Sequence, residues 1–561
     1  MEQRRVLLAF VLMALVLVAS QWWYSQLGPP PGEEVGPADT TKMVEAEEPR
    51  GGERGAPADT AARPAPPVET PADTIDAGVV ENALLEPGAA PPAVRVETPL
   101  YRARLDPEGG VLRQIELLRY ASFTADAAPV ALVPDGEAFL DRTVDLGEST
   151  LRLGRRTFVP SDSIVRLAEG DPTSAVTFTW EGGGRRIVQT YRFAPDTYVV
   201  DYRLELSDGG DGVVVTGIAP RLHSNEKKPE EDYSQMRAVA YVDGEILTKS
   251  AEDAAEANGL SIGGSVDWSG LKSKYFLGLL MAPPEGPTLT AVRVEGSPGD
   301  SLPRLDVGIA APLKSGASAY RLYFGPQEYD RLRALGGGLD EVNQYGWSWI
   351  QWAITPFAKI AVVVMLWLHQ FVPVWGLVLI LFAVVVRLLM WPLTAKSYRS
   401  IQAMQKIQPE IQRIRDQYSD DPQQMQKETM RLYREKKVNP LGGCLPNLIP
   451  MPILFALFFV FQTTIEFRGQ AFLWLPDLSQ PDPLYALPVF MGLTMFATSK
   501  MTATDPKMSA MVYVMPVVLT FVFMNLAAGL VLYYAFSNLL TFGQQYWLRR
   551  VGGEEPDEEE G

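Results

Sequence analysis

The sequence predicts an α-helical membrane protein with six transmembrane helices and an all-β domain exported to the far side of the membrane. Three observations carry that prediction. Five apolar stretches crowd into the last third of the 561 residues, and one more lies at the extreme N-terminus. From Val94 to about Leu339 apolar and polar residues alternate in short runs punctuated by Gly, Pro and Asp. The basic segments between apolar stretches all fall on one side if both termini are cytoplasmic, as the positive-inside rule requires. A chain this long also exceeds what one core holds and should split into at least two units.

At the N-terminus, Arg4 and Arg5 precede an apolar run from Val6 to Ala19, and Trp22, Trp23 and Tyr24 follow where an interfacial aromatic belt would lie. Residues 1–24 read as a spanning anchor. A cleavable signal peptide is the other reading, because Val18-Ala19-Ser20 offers small residues to a peptidase. Either way the two arginines stay inside and the following chain is exported. Residues 25–92 are dominated by Pro, Gly, Ala, Glu and Thr, too poor in apolar surface to order themselves, and read as a tether.

Residues 93–340 form the β region. Val176, Phe178 and Trp180 alternate with polar neighbours, the Gly182-Gly183-Gly184 turn follows, and Tyr198, Val200, Tyr202, Leu204 and Leu206 then share one strand face. Strands of this kind, spaced by turns over roughly 240 residues, indicate a sandwich. His223 has no companion for general-base work, so a structural or solvent-facing place is expected for it.

Composition excludes several function classes. The net charge is −17, and residues 25–345 hold 50 acidic against 31 basic side chains, which speaks against DNA as a partner. One cysteine, Cys444, and two histidines, His223 and His369, leave no intrachain disulfide and no Cys/His zinc cluster. No G-x-x-x-x-G-K-[ST] motif occurs. No cofactor and no enzymatic activity are expected.

Residues 341–371 form a bridge. Trp347, Trp349 and Trp352 precede Pro356, and the apolar run from Phe357 to Leu368 is near 18 Å as a helix, short of the ~30 Å hydrocarbon core. It is expected to lie in the outer interface, a depth that suits its tryptophans.

The C-terminal block, residues 372–550, offers spans at about Pro373–Pro392, Leu445–Gln462, Leu484–Thr498, Met508–Asn525 and Gly529–Leu548. The segment 394–439 between the first two holds ten Lys or Arg against six Asp or Glu, and Met404, Ile407, Ile411, Ile414 and Tyr418 recur in it at heptad spacing. It breaks at Ser419-Asp420-Asp421-Pro422 and resumes through Met425 and Leu432 to Lys437, a cytoplasmic helical hairpin. A self-packed connector and a docking platform are both open readings of it. Residues 551–561 are an acidic tail.

Arg387 is the sharpest residue. A guanidinium at the centre of an apolar helix costs at least ~2.5 kcal/mol, so it faces a wet cavity or snorkels to a head group. Five residues before Pro392, it could do either. In the last span Tyr534, Asn538, Thr541 and Gln545 fall at i, i+4, i+7 and i+11, a polar stripe that must face neighbouring helices or water. The five C-terminal spans contain no Asp or Glu in an apolar core to pair with Arg387. An unpaired buried cation calls for water, and hence for a hydrated interior. Two spans of about 15 residues, near 22 Å each, should thin the bilayer around them.

The segments Tyr345-Gly346-Trp347, Val386 to Thr394 (VRLLMWPLT), Asn439 to Pro446 (NPLGGCLP), Met451-Pro452-Ile453 and Gly529 to Tyr534 (GLVLYY) with Ser537-Asn538 resemble the membrane core of the YidC family of membrane protein insertases, in order and spacing. The likeness covers about Tyr345 to Leu548; the β region resembles the family more weakly, through its position and the stretch Tyr101 to Tyr120. The resemblance implies a β-supersandwich in the periplasm, five helices forming an insertase core in the cell inner membrane, and a groove open to cytoplasm and lipid with Arg387 at its centre. It implies that Arg387 meets polar parts of an incoming chain, and that Tyr533 and Tyr534, with Asn538, Thr541 and Gln545, line its path. Nascent membrane proteins, the ribosome and signal recognition machinery, the Sec translocon and membrane lipids would be the partners. Two departures stand out. Ala383 occupies the position, one turn before the arginine, where members of the family can carry threonine, and the tail from Glu554 to Glu560 is acidic where some relatives end in a basic, ribosome-holding one. Ribosome docking would then rest on the hairpin, through Lys406, Arg413, Arg415, Arg431, Arg434, Lys436 and Lys437. The alternatives are a small-anion transporter, against which stand the missing inverted repeat and acidic relay, and a sugar-binding periplasmic receptor with a membrane anchor.

Overall fold

The computed structural model describes residues 91–124, 128–133, 139–218, 221–297, 302–346, 349–436, 438, 451–502 and 509–551. The N-terminal span, the tether, Trp347, Lys437, the Asn439 to Pro446 motif and the acidic tail lie outside the described residues. The chain divides into two compact units: a β unit of residues 63–367 and 455–480, and a helical unit formed by residues 1–62, 368–454 and 481–561.

In the β unit one sheet of five strands and another of fourteen enclose a common apolar core. The alternation seen in the sequence becomes an alternation of burial. Val199–Leu206 presents Val200, Tyr202, Leu204 and Leu206 inward, and Arg185–Phe193 does the same with Ile187, Tyr191 and Phe193. These strands pair antiparallel with Ile187 opposite Leu206 and Tyr191 opposite Tyr202, so a one-residue slip would turn the apolar face to water. The Gly182-Gly183-Gly184 turn joins Ser174–Gly182 to Arg185–Phe193; Gly183 and Gly184 hold φ of 62° and 76°, where a side chain would strain the backbone.

Among the described residues of the core, Arg142 is a fully buried cation. Arg142 Nε donates to Tyr320 Oη (2.7 Å) and Nη1 to Gln189 Oε1 (3.2 Å), while its guanidinium lies 4.1 Å from the centroid of the Tyr202 ring. His223 is exposed, and partial desolvation lowers its pKa, with Arg221 pushing the same way.

Three short helices decorate the β unit: α1 (Pro229–Tyr233), α2 (Ala251–Glu256) and α3 (Tyr329–Leu335). Helix α4, Gln351–His369, begins before Pro356 and takes it into its second turn. The expected run of Phe357 to Leu368 is thereby extended to 19 residues, near 28 Å. Shortness therefore no longer argues that this segment lies flat. Proline is tolerated so close to a helix start because few intrahelical bonds precede it.

The segment 455–480 belongs to the β unit. Ile465 enters the apolar core, and Arg468, with 2% of its side chain exposed, pairs with Glu226, 8% exposed, at 2.8 Å. Arg468 also donates to the Ala121 carbonyl (2.9 Å) and lies 4.2 Å from the Phe123 ring centroid. Glu466 accepts from the Tyr329 N–H (3.0 Å) at the start of α3.

In the helical unit, α5 runs from Trp375 to Gln417, 43 residues without interruption. The sequence reading ended this span at Pro392, but the helix continues through both Pro392 and Pro409. Its length, about 64 Å, is twice what a bilayer core requires, so the second half projects beyond it. Asp421 ends the break by capping α6, Pro422–Glu435, accepting from the Gln423 and Gln424 N–H groups, with Pro422 at the first helical position. Met404, Ile407 and Ile411 of α5 close on Leu432 of α6, with Ile414 and Tyr433 beside them. Three further helices follow α7 (Met451–Thr463): α8 (Ala486–Thr502), α9 (Ser509–Phe523) and α10 (Ala528–Val551). All are apolar and free of acidic residues. Within the helical unit, α10 packs against both α5 and α8, and α8 against α9.

Candidate functional site

Arg387 stands on α5 one and a half turns before Pro392, among Val386, Leu388 and Leu389. Its helix runs beside α10 in the same sense: Phe382 meets the Tyr533 ring at 5.8 Å, and Trp391 meets Trp547 at 5.8 Å further along. Between these two aromatic contacts Arg387 Nη2 donates to Gln544 Oε1. Gln544 is 4% exposed. Its Nε2 donates to Thr394 Oγ1 (3.1 Å), and Thr394 donates in turn to the Met390 carbonyl (3.0 Å) on its own helix. The relay fixes which end of the carboxamide faces the guanidinium.

A neutral amide orients Arg387 and leaves its charge uncancelled. The Arg387 Nε is buried and meets no acceptor among the described residues, and the buried Gln545 Oε1 meets no donor among them. A guanidinium with unspent donors, beside apolar helices, is a strong attractor for carboxylates, carbonyls and water.

The other residues of the expected stripe divide. Tyr533 is buried against Phe382 and the Tyr534 ring (6.1 Å), and Tyr534 is half-buried, packing on Phe523 at 5.3 Å. Asn538 is half-buried. Thr541 gives its hydroxyl proton to the Ser537 carbonyl of its own helix (2.7 Å), an internal bond that makes the residue less polar toward its surroundings. Gln545 lies next to the guanidinium's partner without being it. The residue that meets Arg387 is Gln544, which sequence reasoning missed. Tyr533, Ser537, Thr541 and Gln544 sit at i, i+4, i+8 and i+11, an equally regular stripe rotated by one residue, and periodicity alone does not choose between the two. Ala383, one turn before Arg387, is buried.

The hairpin residues divide as well. Lys406 and Arg413, seven apart on α5, are exposed on the side away from the Met404–Ile407–Ile411 seam, and Arg434 is exposed on α6. Arg431 is held by Glu435 (2.8 Å) and Glu428 (3.6 Å), and Lys436 reaches across the hairpin to Glu410 (3.0 Å). Arg415 is half-buried, and Lys437 lies outside the described residues. Among the described residues no group of three His, Cys, Asp or Glu could hold a metal ion.

Comparison with known proteins gives two family matches: residues 93–358 match the YidC periplasmic domain, and residues 367–555 the 60Kd inner membrane protein. The membrane protein insertase YidC of Nitratidesulfovibrio vulgaris (strain DP4) is 34% identical over 568 residues, covering 98% of this chain and 100% of that protein. That of Syntrophus aciditrophicus is 31% identical over 570 residues, covering 98% and 99%. A crystal structure of active YidC insertase with its first transmembrane domain resolved shares 20% identity at a TM-score of 0.37, covering 82% of this chain and 95% of that one. With likeness running through both units and nearly end to end, the chain belongs to the YidC family of membrane protein insertases.

Proposed function

We propose that the chain inserts nascent membrane proteins into the cell inner membrane by drawing a polar segment of the substrate to Arg387. The observation that carries this reading is the Arg387–Gln544 pair: an ionised side chain on an apolar helix, oriented by an amide and left with its charge. A substrate's exported polar segment supplies the acceptors that the guanidinium lacks. Its apolar helix slides past Tyr533 and Tyr534 and leaves into lipid. Each CH₂ group so transferred yields ~0.8 kcal/mol, ample driving force for a 20-residue segment without ATP. The family is one of insertases, and neither a transporter nor a sugar receptor is favoured by its members.

In this reading both termini face the cytoplasm and the β unit lies in the periplasm. The hairpin of α5 and α6 meets the ribosome and signal recognition machinery, and the Sec translocon takes over substrates with many spans. The positive-inside rule supports the orientation, and the exposed cations Lys406, Arg413 and Arg434 support the hairpin's role.

The test is depletion of the protein in cells, complementation with the parent or Arg387→Ala, and protease protection of small membrane proteins whose exported segments differ in charge. Loss of hydrogen bonds to a charged group is worth about 1.5–3 kcal/mol, so acidic substrates should insert about ten-fold less or worse with Arg387→Ala. Equal insertion of every substrate by both proteins, or in depleted cells, refutes the reading.

A further inference from the structure

The segment between α7 and α8 carries a feature that substrate handling does not use. Phe472 and Leu475 exchange both backbone hydrogen bonds, 2.9 Å each, and close a two-residue turn whose tip is Leu473-Trp474. Leu473 holds φ of 53°, a place where two-residue hairpins ordinarily put glycine. The flanking side chains of Phe472 and Leu475 point inward and are buried, whereas Leu473 is 76% and Trp474 44% exposed.

The turn is stiff. Asp477 Oδ1 accepts from the Gly469 N–H (3.0 Å) and the Ser479 N–H (2.8 Å), and Leu478 N–H donates to the Gln470 carbonyl (2.9 Å). The Arg468–Glu226 pair fastens its base. A leucine in left-handed backbone, held rigidly so that two large apolar side chains point outward, would be a liability in water.

We propose that the Leu473-Trp474 turn is a membrane anchor that seats in the interfacial layer of the lipid surface. Three observations favour lipid over a protein partner. The tip follows Thr463, the end of an apolar helix, by ten residues, so the chain cannot carry it more than about 35 Å from that end. From Gly469 to Pro476 there is no charged residue, although the rest of the β unit's sequence is rich in them. A tryptophan beside a leucine is the pairing that suits the depth between head groups and acyl chains, where the indole N–H stays hydrated. The inference rests on the membrane reading of the helices.

The experiment uses the full chain with Cys444→Ser, which removes the only cysteine. Single spin labels are placed at Leu473→Cys, at Leu493→Cys on the exposed face of α8, and at Val159→Cys on the exposed surface of the β unit. Each protein is reconstituted in vesicles of phosphatidylethanolamine and phosphatidylglycerol, and collision rates with oxygen and with a water-soluble nickel chelate are compared. The oxygen-to-nickel ratio at residue 473 should exceed that at 159 several-fold and fall below that at 493. A ratio equal to that at 159, or shielding from both reagents as a covering protein would give, overturns the anchor while a lipid-like 493 keeps the membrane reading. A water-like 493 overturns both. In vesicles containing brominated lipid, Trp474→Phe should lower the quenchable share of tryptophan emission; an unchanged share also overturns the proposal.

Discussion

Arg387 donates to the Gln544 carboxamide across the α5–α10 seam, and no ion pair joins it among the described residues. The amide holds the guanidinium in place without neutralising it. Gln544→Glu should therefore keep the fold and lose the function, because a carboxylate in the same place forms the charge pair that a substrate would otherwise complete. Protease protection of acidic substrates by this variant should fall about as far as with Arg387→Ala, while the thermal midpoint holds or rises. Gln544→Leu should instead lower stability by about 1.5–3 kcal/mol by stranding buried donors. Full activity in Gln544→Glu would show that Arg387 need not be available.

Arg468 and Glu226 form the most deeply buried ion pair among the described residues. Burial raises the Glu226 pKa even though Arg468 pulls it down, so the carboxylate depends on its partner for its charge. Arg468→Met should cost about 3–5 kcal/mol in unfolding of the β unit, and Glu226→Leu nearly as much. The double variant Glu226→Leu with Arg468→Met should recover a large part of that loss. Calorimetry on the four proteins gives the cycle, and additive losses would show that the two side chains do not act as a pair.

Burial pushes the Glu466 carboxyl from its ordinary 4.5 up to about 7; the Tyr329 N–H draws it back, and Glu328 and Asp330 push it further up. Tyr120 and Tyr345 also face it. A raised carboxyl binds its proton more tightly in the folded than in the unfolded chain. The stability it adds is thus complete below about pH 4.5 and is lost as pH rises through about 7. The loss is at most about 3 kcal/mol. Glu466→Gln should flatten this part of the pH profile of the β unit's melting temperature and leave the parent less stable than the variant at about pH 8. Glu226 and Asp232, also raised by burial, keep a residual slope of the same sign.

Charge reversal at Lys406, Arg413 and Arg434 should weaken co-sedimentation with ribosomes several-fold and reduce its salt dependence. The same change at Arg431 or Lys436 should have a smaller effect on binding, since their charges are partly spent on Glu428, Glu435 and Glu410. Ile411→Asp should open the hairpin, visible as lost helicity, by placing a carboxylate in its apolar seam.

Much of this was legible in the sequence because burial alternates with period two in strands and 3.6 in helices. Tyr198 to Leu206 and Met404 to Ile411 are such cases, and both fall on the faces that their spacing requires. Arg387 stood out because a charge in an apolar run is costly. Gln544 did not, since its stripe on α10 is as regular as the one through Gln545, and only the packing of α5 on α10 selects it. The helix bounds at Pro356 and Pro392 were misplaced for a related reason. Proline removes one hydrogen bond, a local penalty that the surrounding helix outweighs when its apolar face is packed or embedded. The Arg468–Glu226 pair joins residues 242 apart in the chain, a distance at which composition carries no information.

The unbroken course of α5 would make one body of the two tasks proposed for it. The cations Lys406 and Arg413 and the guanidinium of Arg387 ride on a single rod, with about 29 to 39 Å between them along its axis. A tilt of five degrees, as a gripping particle could impose on the protruding end, would sweep the far charge through roughly 3 Å, a whole hydrogen-bond length. Pro392 and Pro409 are the two joints at which such leverage can be absorbed or passed on.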